Sequence, residues 1–135
     1  MEEFERGQTF HHKKATNFDG QKGKYFIGLT DAEYDDDEIV CFVINTEHHM
    51  HRYTYNCNRE AQKYIIAPQT FSFIKDDSAI MLGQACFYLM TEMYESDIEL
   101  LDKADELFCR KIKNCIDMNS IEPIFQRVIK ECYKN

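Results

Sequence analysis

No apolar segment of this sequence approaches the roughly 20 residues needed to cross a bilayer. The opening Met-Glu-Glu-Phe-Glu-Arg lacks the basic head and apolar run of a signal peptide, so the expectation is a cytoplasmic protein with no membrane association. There is no repeat, low-complexity tract or Pro/Ser-rich linker, which implies one domain over residues 1–135. Positive charge is in deficit. A net charge of −8 argues against broad, non-specific attraction to nucleic acid. No dinucleotide fingerprint or nucleophile elbow occurs, and Gly20-Gln-Lys-Gly-Lys24 lacks the spacing and trailing hydroxyl of a phosphate loop. The acidic run Asp35-Asp36-Asp37-Glu38 lacks the alternating ligands and glycine of an EF-hand loop, and reads as a solvated turn. Cys-x-x-Cys pairs are also missing. Cys41, Cys57, Cys86, Cys109, Cys115 and Cys132 are expected as buried free thiols in a reducing compartment, with no disulfide framework, metal site or cofactor.

What is present is apolar, aromatic and β-branched: 44% apolar residues, with ten Phe and eight Tyr, describe a globular chain. The runs Tyr25-Phe-Ile-Gly-Leu-Thr30 and Ile39-Val-Cys-Phe-Val-Ile-Asn45 are too short for helices and predict adjacent, largely buried strands. Further strands are expected at Gln8–His12, Lys63–Ile66, Thr70–Phe73 and Ala79–Leu82, with a loop at Asp19-Gly20 and a break at Pro68. Beyond Tyr94, Ile98, Leu101, Ala104, Phe108, Ile112 and Cys115 recur at helical spacing behind a Ser96-Asp97-Ile98-Glu99 capping box. A last helix is expected after Ser120, burying Ile124, Phe125, Val128 and Ile129. Gly83–Tyr94 fits either a strand or an apolar helical face. The order predicts a mainly β chain: a small β-barrel over about 7–82 with two or three helices over about 84–134.

Charge is uneven. Between His11 and Lys24, four lysines face only Asp19, a local +3 that admits a small anion or a short RNA strand. Three stretches then carry a family likeness: Gly7-Gln-Thr-Phe10, the pair Lys24–Thr30 and Val40–Thr46, and Phe71-Ser-Phe-Ile-Lys-Asp-Asp-Ser78, with Ser120-Ile-Glu-Pro-Ile opening the last helix. Together they resemble the PemK/MazF-like group of Src-homology-3-like barrels, best known as toxin endoribonucleases of toxin–antitoxin systems. The resemblance implies a closed barrel, metal-independent cleavage of single-stranded RNA, a homodimer, and an antitoxin or other protein partner. In the toxins a basic residue before the second strand and a Thr ending the third act on the scissile phosphate. By position these are Lys24 and Thr46.

Such a reaction needs a proton acceptor, a proton donor for the leaving 5′-oxygen, and donors for the phosphoryl oxygens. Lys24 would supply the cation, Thr46 and Ser78 the hydrogen bonds, and His48, or its neighbours His49 and His51, the proton transfer. Lys13, Lys14, Lys22 and Lys75 would track the RNA backbone. Each residue also has a plain structural role: a solvated lysine at a strand entry, turn-forming hydroxyls, an exposed histidine loop. A second function class is therefore carried alongside, a non-catalytic interaction module of the same fold. Its motivation is the net acidity, and a Lys where the toxins usually carry Arg with its bidentate fork.

Overall fold

The run Ile39-Val-Cys-Phe-Val-Ile44 offers no polar residue to either face, and it becomes the middle strand of the protein, with every one of these six residues at most 6% exposed. The computed structural model describes residues 3–16 and 22–134. Among them, seven strands form one antiparallel sheet: β1 (Gln8–Thr16), β2 (Lys22–Gly28), β3 (Glu38–Thr46), β4 (Asn56–Asn58), β5 (Lys63–Ile66), β6 (Ser78–Leu89) and β7 (Ile98–Lys103). Their order is β4-β5-β6-β3-β2-β1-β7. Two helices follow, α1 (Glu106–Cys115) and α2 (Pro123–Cys132). No helix among the described residues is long and apolar enough to cross a membrane.

Because successive strand residues point to opposite faces, β3 feeds two cores. Val40, Phe42 and Ile44 pack with Ile27, Ile80 and Leu82 beneath Ile112 of α1 and Ile129 of α2. Ile39, Cys41 and Val43 join Phe10, Phe26, Tyr88 and Met90 on the other side. That second face is strongly curled. Three strand spacings separate β6 from β1, about 14 Å in a flat sheet, yet the rings of Tyr88 and Phe10 lie 5.1 Å apart. The bend is taken up in β6, where Phe42 pairs with Ala85 but Ile44 pairs with Ile80, so residues 81–84 pass Val43 alone. The sheet is anchored at Gly7, whose amide donates to the Gly28 carbonyl and whose carbonyl accepts from Ala104, both at 2.8 Å. Its φ is +96°, and a Cβ at this position would collide with the Ala104 carbonyl oxygen, so only glycine fits there.

The mainly β body with two C-terminal helices agrees with expectation, but several details do not. The sheet ends at β4 and β7 and is open, where the resemblance implies a closed barrel. Thr70–Phe73 is not a strand. Behind Pro68, Gln69 adopts a left-handed φ of 71°, and its amide bonds the Ile74 carbonyl, so a tight loop drives Phe71 and Ile74 into the core. Gly83–Leu89 extends β6, and only Met90–Tyr94 coils, as a 3-10 turn. Ile98–Lys103 is a strand, not the first turns of a helix, so the sheet runs well past residue 82. Side chains of β1 secure it: Gln8 donates to the Leu101 carbonyl at 2.6 Å and Thr9 to that of Asp102. Asp105, not Ser96, caps α1, accepting the Phe108 amide at 2.8 Å. In α2 Ile129 is fully buried, whereas Ile124 is exposed.

The cysteine expectation is corrected as well. Cys41, Cys86, Cys109 and Cys132 are free thiols, but Cys57 on β4 and Cys115 at the end of α1 form a disulfide across 58 residues. No local spacing announces it, because the fold brings together an edge strand and a helix terminus. The Asp19-Gly20 loop lies outside the described residues.

Candidate functional site

His12 and Lys24 sit directly opposite each other on β1 and β2, and both line a cleft of about 550 Å³ with Phe26, Gln84, Cys86, Tyr88 and Glu92. The curl of the sheet supplies the third wall by carrying Tyr88 over to β1. The Tyr88 hydroxyl lies 2.7 Å from His12 Nδ1, and Asp97 Oδ2 lies 3.0 Å from His12 Nε2. Asp97 directly precedes β7, which pairs with β1 by setting Ile98 opposite His12. Both partners of this hydrogen bond are half-buried, with 23% of the His12 side chain and 15% of Asp97 exposed.

The electrostatics give this chain a direction. Partial burial of Asp97 works to raise its pKa, but hydrogen bonds from its own amide and from His12, with the charges of His12 and Lys14, hold it below the usual carboxylate range. Asp97 is thus an acceptor only, and Nε2 of His12 must donate to it. Burial, with Cys86, Cys41, Glu92 and Asp97 nearby, pushes the Tyr88 phenol well up, so it keeps its proton. In a neutral imidazole Nδ1 then accepts from Tyr88. The proton wire runs Tyr88 to His12 to Asp97. Burial and Glu92 push the Cys86 thiol up to about 11 against the opposing pull of Lys24, which leaves it an uncharged part of the wall.

The residues singled out in the sequence divide between two places. Lys24 belongs to the His12 cleft. Thr46 and Ser78 pair across β3 and β6 and line a separate hollow of about 280 Å³ with Tyr25, Phe73, Lys75 and Asp76. Strand alternation explains the division: Tyr25 turns toward Thr46, while its neighbours Lys24 and Phe26 turn the other way. The expected grouping of Lys24 with Thr46 and Ser78 does not form. Ser78 is buried and its hydroxyl donates to the Asp76 carbonyl at 2.9 Å. His48 is exposed, beyond the end of β3, and enters neither cavity. His49 and His51 meet edge to face at 6.0 Å between ring centres. Lys13 and Lys14 are exposed on β1, Lys75 is exposed at the hollow's rim, and the side chain of Lys22 lies outside the described residues.

Two other clusters are structural. Asp37 closes its own acidic turn by accepting the amides of Glu33 and Tyr34, which lowers its pKa. Glu47, whose side chain is only 4% exposed, is paired with Lys63 at 2.7 Å, and Lys63 also stands over the Tyr53 ring. Among the described residues no group of three or more His, Cys, Asp or Glu is arranged to hold a metal ion.

His12, Tyr88, Asp97 and Glu92 escape a sequence reading because 76 and 85 residues separate His12 from its two partners. The signal that the sequence does carry is weaker: a histidine two residues beyond Phe10, on the same strand face as that fully buried ring. No family model matches the chain, and no curated protein or solved structure does.

Proposed function

We propose that the protein is a metal-independent endoribonuclease on single-stranded RNA whose working groups are those of the His12 cleft, with Lys24 the residue shared with the family likeness. The observation that carries this reading is the hydrogen-bond chain from Tyr88 through His12 to Asp97, set opposite a lysine. In the proposed step the 2′-oxygen bonds to phosphorus as its proton passes to the Tyr88 oxygen and the Tyr88 proton passes to His12 Nδ1. Asp97 stabilises the resulting imidazolium. Lys24 faces the charge that develops on the phosphoryl oxygens. The P–O5′ bond then breaks, and the proton returns along the same path to the leaving oxygen, leaving a 2′,3′-cyclic phosphate and a 5′-hydroxyl.

The test is incubation of purified protein with mixed RNA in EDTA. Cleavage is expected, with a loss of about 100-fold or more in His12→Ala and Lys24→Ala, and wild-type behaviour in Thr46→Ala, since Thr46 lies outside the cleft. No cleavage by the wild type, or full activity in His12→Ala, overturns it.

A second reading, a non-catalytic interaction module, is favoured by the division of Lys24 from Thr46 and Ser78 and by Glu92 bringing negative charge into the cleft. It calls for a stable protein partner in pull-down and no RNA retention at low salt. RNA binding that weakens steeply with salt supports the ribonuclease. Size-exclusion chromatography tests the homodimer implied by the family likeness. The Cys57–Cys115 bridge favours an oxidising environment over the cytoplasmic one that the cysteine pattern suggests.

A further inference from the structure

The hollow that holds Thr46, Ser78 and Lys75 is the part of the sequence signature that the His12 cleft leaves unused. At about 280 Å³ it lies near the lower end of small-molecule sites, which start at about 300 Å³. Its wall is aromatic: Tyr25 and Phe73 stack at 4.6 Å with 9° between their planes. Its rim is polar. Among the described residues Lys75 and Asp76 form no ion pair, although they are adjacent and both face the hollow. The neighbouring Asp77, by contrast, is engaged by the Tyr55 hydroxyl at 2.9 Å. Backbone bonds hold the segment in place, with the Glu47 amide donating to the Asp77 carbonyl and the Ile74 amide to that of Phe71.

From this arrangement we infer that the hollow is a binding site for a guanine base. An ammonium beside a carboxylate discriminates among bases by chemistry alone. Guanine sets two acceptors, O6 and N7, beside two donors, N1–H and N2–H, so Lys75 can take the first pair and Asp76 the second. Adenine turns an N6 donor toward the amine and an N1 acceptor toward the carboxylate. Cytosine offers a donor but no second one beside it, and uracil a single N–H between two carbonyls. His11 stacks on the outer side of Tyr25 and Phe71 on that of Phe73, so a base would meet the edges of these two rings, in an edge-to-face contact.

The site is independent of the proposed cleavage chemistry, and its test is binding, not turnover. Titration calorimetry with GMP, AMP, CMP and UMP is expected to show GMP binding best, by about fivefold or more over each of the others. Asp76→Asn and Lys75→Met should each weaken GMP by about fivefold or more, with Asp76→Asn erasing the preference, and His12→Ala should bind as wild type does. Both rim side chains are exposed, so circular dichroism can verify that the variants fold. A short single-stranded RNA containing one G, compared with GMP, tells strand recognition (tighter RNA) from recognition of a free nucleotide (equal affinities). Absence of GMP binding at millimolar concentration, equal binding of the four nucleotides, or affinity indifferent to both variants overturns the inference.

Discussion

Reduction of the Cys57–Cys115 bridge is a perturbation whose size the architecture sets directly. It ties edge strand β4 to the last residue of α1, with Cα atoms 5.6 Å apart and a sequence separation of 58. Closing a loop of that length in the unfolded chain removes about 14 cal/mol/K of entropy, or about 4 kcal/mol at 25 °C. For 135 residues the unfolding entropy near the midpoint is about 0.28 kcal/mol/K, so loss of the bridge should lower Tm by about 15 °C. Cys57 is exposed while Cys115 is buried, which makes Cys57→Ser the variant that disturbs packing least. Wild type and variant should be unfolded by urea and by heat, each with and without reductant. Reductant should bring the wild type down to the variant and leave the variant unchanged. Thiol titration of unreduced, denatured wild type should count the four free cysteines. Six reacting thiols, or a wild-type transition that ignores reductant, would mean that Cys57 and Cys115 are not joined.

Other consequences are equally checkable. Lys63→Met strips the partner from Glu47, whose side chain is 4% exposed, and should cost about 3 kcal/mol in urea unfolding; an unchanged midpoint would mean that Glu47 finds water. Gly7→Ala places a side chain against the Ala104 carbonyl at a left-handed φ and should cost about 1–3 kcal/mol; no loss would show that the turn relaxes freely. Acid stability follows from depressed carboxylates. Burial works to raise the pKa of Glu47 but is outweighed by the hydrogen bonds from Lys63 and the His49 amide; the Ser72 hydroxyl and amide lower Asp102, and backbone amides lower Asp37. Each folded pKa lies below its unfolded value, so the stability they confer is complete above about pH 4 to 5 and is lost as pH falls through the depressed values. Tm measured from pH 7 to pH 2 should hold and then fall, more gently in Lys63→Met than in wild type.

Much of the body was legible one residue at a time. A strand such as Ile39–Ile44, apolar on both faces, can be satisfied only in the middle of a sheet. Pro123 behind Ser120 marks the start of the last helix because its missing amide is no loss there. Ile98, Leu101 and Ala104 mislead because their three-residue spacing fits a helical face, while the partner that makes Ile98–Lys103 a strand, β1, lies about ninety residues earlier. Thr70–Phe73 misleads for the opposite reason: β-prone residues yield to a turn that Pro68 and a left-handed Gln69 impose.

The site shows the same division. Strand identity, and with it the placement of Lys24 and Tyr25 on opposite faces, follows from local composition and the two-residue pleat alone. The meeting of His12 with Tyr88 and Asp97 does not, nor does the joining of Cys57 to Cys115. These contacts depend on how far the sheet curls, on the bend in β6 opposite Val43, and on where α1 packs. Curl and docking are sums over the whole core, and no short stretch of chain carries them.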